Sequence, residues 1–208
     1  MKVSATAFVI CVAMIVPPVM GQSLADTARQ NGGSAGSVTD VCGPVPSLAD
    51  VMSQSELVVH GRIVDVKTRL SPDETQVTTE YTIAPIQAFK DKRPASVPTP
   101  GAVSKIVLRR TGGTLLTSDG LRLWTSVNIF PEAECFRLGE EVVAFLAYNS
   151  DAHAYYFASG GFAAYRVRDG IVTPMTSEVV SRRGDQPVEA SVFFRELLRL
   201  RSVVDTRN

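Results

Sequence analysis

The sequence predicts a mainly β domain: a small antiparallel barrel, OB-like or otherwise closed, with a C-terminal α-helix, or alternatively a β-sandwich. Three observations predict it. From Glu56 to Val172 the apolar residues follow strand-like periods, with turn signals at intervals of roughly 10 to 15 residues. Gly61 falls where the apolar phase of the first long strand shifts, as a β-bulge would produce. The last segment, 188–204, changes to a helical period, with Phe193, Leu197, Leu200 and Val204 on one face. Closure is preferred to an open sheet because it removes exposed edges.

Taken in order, Lys2, the apolar run 5–16, the Pro17-Pro18 break and the small residues around Gly21 read as a secretory signal peptide over 1–22. The mature chain is expected to be exported, either secreted or periplasmic. The run is about a dozen residues, short of the roughly 20 that a spanning helix needs, and no later stretch is longer and uncharged. Residues 23–41, with Asn31-Gly32-Gly33-Ser34-Ala35-Gly36, lack apolar periodicity and read as a flexible tail. A single domain is then expected over 42–208. Pro44 and Pro46 lead into a short helix at 47–53, with Ser47 as N-cap.

Strands follow at 57–66 and 77–89, the second disrupted by Pro85 at an edge or bulge. Another is expected at 103–109. Residues 115–130 read as a hairpin about Ser118-Asp119-Gly120, where Asp-Gly suits a type I′ turn. The segment 141–148 is nearly continuously apolar and reads as a central strand covered on both sides. Strands at 155–157 and 162–167 precede a tight Asp169-Gly170 turn into Ile171 and Val172. The closing helix 188–204 is expected to plug or flank the barrel. Its Phe193, Phe194, Leu197 and Leu198, beside Arg195, Arg199 and Arg201, also admit a place on a membrane surface.

Hydrophobic residues make up 45% of the chain, enough for a core, and 21 Lys+Arg balance 21 Asp+Glu. That balance gives no pull towards polyanions, so a nucleic-acid partner has no support. No cofactor is implied. Of the three cysteines Cys11 leaves with the signal, so Cys42 and Cys135 form an even pair in an oxidising compartment. One disulfide is expected, worth up to roughly 4–5 kcal/mol by chain entropy; two reduced thiols are the alternative.

The pieces Ser47-Leu48-Ala49-Asp50-Val51, Ser55-Glu56-Leu57-Val58-Val59-His60-Gly61-Arg62-Ile63, Thr111-Gly112-Gly113, the run 136–146 beginning Phe136-Arg137-Leu138-Gly139-Glu140-Glu141, and Ser159-Gly160-Gly161-Phe162 together resemble a family of exported bacterial proteins without a settled function. More distantly, a cysteine before such a first strand is similar to netrin-like modules, the OB-type class that includes tissue inhibitors of metalloproteinases. That resemblance implies zinc chelation by an N-terminal cysteine. Here Cys42 lies about 20 residues after the expected cleavage, so the inhibitor mechanism needs further processing.

Among candidate sites, Gly32-x-Ser34-x-Gly36 spells a nucleophile elbow, but no strand and helix are expected around it. His60 and His153 are too few for a typical His-rich metal site. Gly139-Glu140 sits at the mouth of the central strand. Either Glu140 or Glu141 serves as a general acid with a raised pKa, or Glu140 accepts backbone N–H bonds in a turn while Glu141 faces solvent. Trp124, Phe130, Tyr155 and Tyr156 are candidates for a binding surface, or for core packing. Two function classes remain: a secreted, non-catalytic binding module for an unknown protein or polymer, which is preferred, and an envelope hydrolase or transferase using Glu140 or Glu141 as acid.

Overall fold

The structure, a computed structural model, describes residues 22–39, 45–92, 105–127, 136–176 and 184–205. Its elements are helix α1 (Leu24–Gln30), β1 (Ser34–Thr39), α2 (Leu48–Gln54), β2 (Leu57–Leu70), β3 (Val77–Asp91), β4 (Ile106–Thr111), β5 (Gly113–Leu116) and β6 (Arg122–Val127). These are followed by β7 (Glu141–Asn149), β8 (Ala154–Gly161), β9 (Ala164–Arg168), β10 (Ile171–Pro174), β11 (Val188–Glu189) and α3 (Ala190–Asp205). The fold is mainly β with a C-terminal helix.

Period-two alternation in β2, β3 and β4 sends Leu57, Val59, Ile63, Tyr81, Ile83 and Leu108 to one side, where they meet Val142, Ala144 and Leu146 of β7. The sheet curls around this cluster until its edge strand β8 meets β7, beyond which β9, β10 and β11 continue the sheet. β4 pairs parallel to β8 at Leu108 and Tyr155, and β8 pairs back to β7 from Leu146–Phe157 to Asn149–Ala154. β2, β3, β4, β8 and β7 thus form a closed ring. The bend is made where the sequence placed it: the β2–β3 register shifts between His60 and Gly61, and Pro85 faces Gly61 across the pair. A Cβ at position 61 would lie 2.5 Å from Ile83 Cγ2 and 2.7 Å from the Ala84 carbonyl oxygen, so the bulge excludes any side chain there.

β7 is central as expected. Its first half pairs with β9 and its second half with β8, while Val143 and Phe145 face away from the ring interior into a second cluster. There they pack with Val58, Phe89, Val51 and Met52 of α2, and Phe193, Leu197 and Leu200 of α3. The apolar face of α3 is therefore spent on the flank of the ring. α2 starts at Ser47, whose side chain accepts from the Asp50 N–H in a capping box. Lys90 is buried at the other end of α2, donating from Nζ to the carbonyls of Met52 (2.7 Å) and Ser53 (3.1 Å), where the helix dipole favours a cation.

Three expectations are corrected. Residues 22–39 are not a loose tail: Leu24, Ala28 and Ala35 pack with Val77, Leu121 and Leu123, and β1 joins β6 as a parallel strand in a separate sheet ordered β1-β6-β5. Tertiary burial and ladder bonds supply the order that the small residues lack by propensity. Secondly, Asp119-Gly120 is not a type I′ turn. Leu116 pairs with Arg122, leaving five loop residues, with Gly120 at φ 84° but Asp119 outside the left-handed region. The two-residue turn is the other Asp-Gly, with Asp169 at φ 51° and Gly170 at φ 76° between the paired Arg168 and Ile171. The closing helix also begins later than expected, at Ala190, because Val188 and Glu189 pair with β10.

Candidate functional site

The turn before β7 is built by its own acid. Glu140 Oε2 accepts the Arg137 N–H (2.8 Å), the Glu140 N–H donates to the Arg137 carbonyl (3.1 Å), and Gly139 takes φ 86° between them. Two backbone bonds pin the turn to the ring: Gly139 N–H to the Ile63 carbonyl (2.8 Å) and Ile63 N–H to the Glu140 carbonyl (2.9 Å). Leu138 is left at the apex, 69% exposed. Across from it stands the β9–β10 hairpin with Arg166, Arg168, Asp169 and Gly170, and the two walls bound an open groove of about 580 Å³.

Strand register sets the charges beside it. Arg62 of β2 lies opposite Glu141 of β7, which lies opposite Val167 of β9. Glu141 Oε1 accepts from Arg62 Nη2 at 2.6 Å, and Oε2 lies 3.2 Å from His60 Nε2. His60 is itself buried, its ring 5.0 Å from that of Phe194 on α3. The hydrogen bond from Arg62 holds the Glu141 carboxyl below the usual carboxylate range, with His60 adding to it and burial opposing it. Glu140 Oε1 lies 3.2 Å from Arg166 Nε. Glu140 is thus the structural turn residue of the second sequence reading. Glu141 departs from both readings, being neither a raised-pKa acid nor simply solvated.

The other sequence candidates are dispersed. Tyr155 is in the ring interior at 5% exposure, its ring 5.1 Å from Tyr148. Tyr156 is half-buried and, by strand alternation, on the opposite side of β8, where it joins Glu80 in holding the Arg109 guanidinium protonated. Trp124, in β6, lies over Gly36, where a Cβ would come within 2.1 Å of the indole. Tyr155 is committed to packing, so the described aromatics do not form one exposed platform. Phe130, Cys42 and Cys135 lie outside the described residues, as do residues 1–21, where the signal peptide is expected.

Ser34 is exposed, and the order there is helix, turn, strand, the reverse of a nucleophile elbow. Among the described residues no three His, Cys, Asp or Glu side chains group as a metal site. None of the described helices is long and apolar enough to cross a membrane.

Sequence reasoning missed Arg62, Arg137, Arg166, Arg168 and Asp169. The alternating Arg166-Val167-Arg168 was a visible signal for two cations on one strand face. What brings Arg166 to Glu140 and Arg62 to Glu141 is the pairing of β9 and β2 with β7, which no local spacing carries. No family model matches the chain, and no curated protein matches it.

Proposed function

We propose that this protein is an exported, non-catalytic binding module that holds a protein or polymer ligand in the groove between the Arg137–Glu140 turn and the β9–β10 hairpin. One observation carries the reading: both groove carboxylates next to the central strand are occupied as pairing partners, Glu140 by the Arg137 N–H and Arg166, Glu141 by Arg62 and His60. A general acid needs a proton to give near neutral pH, and a carboxyl whose pKa is lowered has none. Leu138, Arg137 and Arg168 are meanwhile exposed to solvent. Export is read from the N-terminal signal pattern. The likeness to netrin-like modules belongs to the same proposal, supported by the five-stranded ring with its single parallel contact.

The test is to expose the exported protein to peptide and polysaccharide fractions and weigh, by mass spectrometry, whatever it retains. The expected result is a ligand recovered chemically unchanged, with loss of retention when Leu138 is replaced by Asp. A product that accumulates with time and is lost in Glu141→Gln would contradict the module and favour the hydrolase or transferase.

A further inference from the structure

We propose that the groove receives an acidic peptide segment, its carboxylate between Arg137 and Arg168 and an apolar neighbour on Leu138; this rests on the groove being the binding site. Among the described residues three arginines line the groove and a fourth, Arg62, pairs with its lining residue Glu141; they are not equivalent. Arg62 donates to Glu141 and Arg166 faces Glu140, so those two guanidiniums offset these two carboxylates. Arg137 contributes its backbone to the turn, and among the described residues its guanidinium has no ion pair. Arg168 Nε is 3.7 Å from Asp169, beyond hydrogen-bond distance, with both side chains more than four-fifths exposed, so that contact holds it weakly. Two forked donors therefore remain for a planar anion, and a carboxylate is the group that a guanidinium fork fits.

The class of anion follows from what else lines the groove. Leu138, Gly139, Val167 and Gly170 offer aliphatic and backbone surface, and no aromatic ring is among the described lining residues. Recognition of an acidic sugar chain would draw on aromatic faces for stacking, whereas a peptide side chain needs only the exposed Leu138 as an apolar seat. A volume of about 580 Å³ suits a few residues of peptide. Asp169, at the rim, opposes a carboxylate and would welcome a lysine instead, so its removal reads the sign of the ligand.

The experiment uses fluorescence anisotropy with the exported full chain and a labelled, end-blocked hexapeptide alternating Glu and Leu. Its controls are the same peptide with Lys for Glu, and trigalacturonate as a carboxylate-bearing sugar competitor. The Glu peptide is expected to bind, to weaken as salt rises from 50 to 300 mM, and to weaken about tenfold or more in Arg137→Glu/Arg168→Glu. Asp169→Asn should tighten it about threefold. Both arginines are exposed, so the fold is expected to persist, and a thermal melt checks this.

Equal or tighter binding of the Lys peptide, an unchanged affinity in the double variant, or competition by trigalacturonate at matched carboxylate concentration would each overturn the inference. Backbone NMR signals of Leu138, Gly139 and Gly170 separate the two levels. If another ligand shifts them and the Glu peptide does not, this inference fails while the groove reading stands. If ligands bind without shifting them, the groove reading fails as well.

Discussion

The five-stranded ring and the three-stranded β1-β6-β5 sheet are both β-structure, yet they are held differently. In the ring, β7 is buried on both faces: Val142, Ala144 and Leu146 point inward while Val143 and Phe145 point to α2 and α3, all at 0% exposure. The small sheet has a single thin layer, in which Leu24, Ala28, Ala35, Leu121 and Leu123 meet Val77 of the ring. Its edge strands carry exposed Val38 and Leu116. Burial on two faces makes a strand part of the global unfolding unit; burial on one thin face leaves a unit that can open by itself.

Phe145→Ala should break the stronger side of this comparison. The ring of Phe145 packs 5.9 Å from that of Tyr165 beneath α3, and its loss should cost about 3–5 kcal/mol in urea unfolding, with all probes moving together. Leu123→Ala, equally buried, should cost about 2–4 kcal/mol locally. Amide exchange should then quicken over 22–39 and 113–127 while β2, β3 and β7 stay protected; uniform loss of protection would make the two regions one unit. Gly36→Ala should cost about 1–3 kcal/mol by driving a methyl into the Trp124 indole, reported by a red-shifted Trp emission.

Smaller effects belong to the turn that joins ring and groove. Glu140→Gln keeps an acceptor for the Arg137 N–H but loses the charge facing Arg166, so about 1 kcal/mol of stability should go. For Glu141 the folded carboxyl is held below its unfolded value. Its contribution is therefore present above the ordinary glutamate pKa near about 4.3 and is lost as pH falls through the lower folded value. Arg62→Ala should flatten that acid limb of a stability–pH curve.

The ring was readable because its residues alternate large apolar and polar side chains, and because Gly61 and Pro85, opposite each other in the bulge, are the residue types a bulge permits. The small sheet was not. Ser34-Ala35-Gly36-Ser37-Val38-Thr39 has composition typical of a tail, and becomes a strand through parallel pairing with a distant β6. The two Asp-Gly turns are identical as dipeptides; only the pairing of flanking residues, Arg168 with Ile171 against Leu116 with Arg122, decides that one is type I′. In the groove, the structural role of Glu140 was among the alternatives the sequence offered. The Arg62–Glu141–His60 contact was not, since it arises where two strands far apart in the chain come into register.

The measurement that bears most directly on a binding rather than a catalytic groove is the pH titration of the Glu141 side-chain carboxyl by carbon-detected NMR, assigned with Glu141→Gln. The account predicts a midpoint below that of an ordinary glutamate, moving up when Arg62 is replaced by Ala. A midpoint raised towards neutrality would mean that the carboxyl keeps a proton to donate, and would contradict the account.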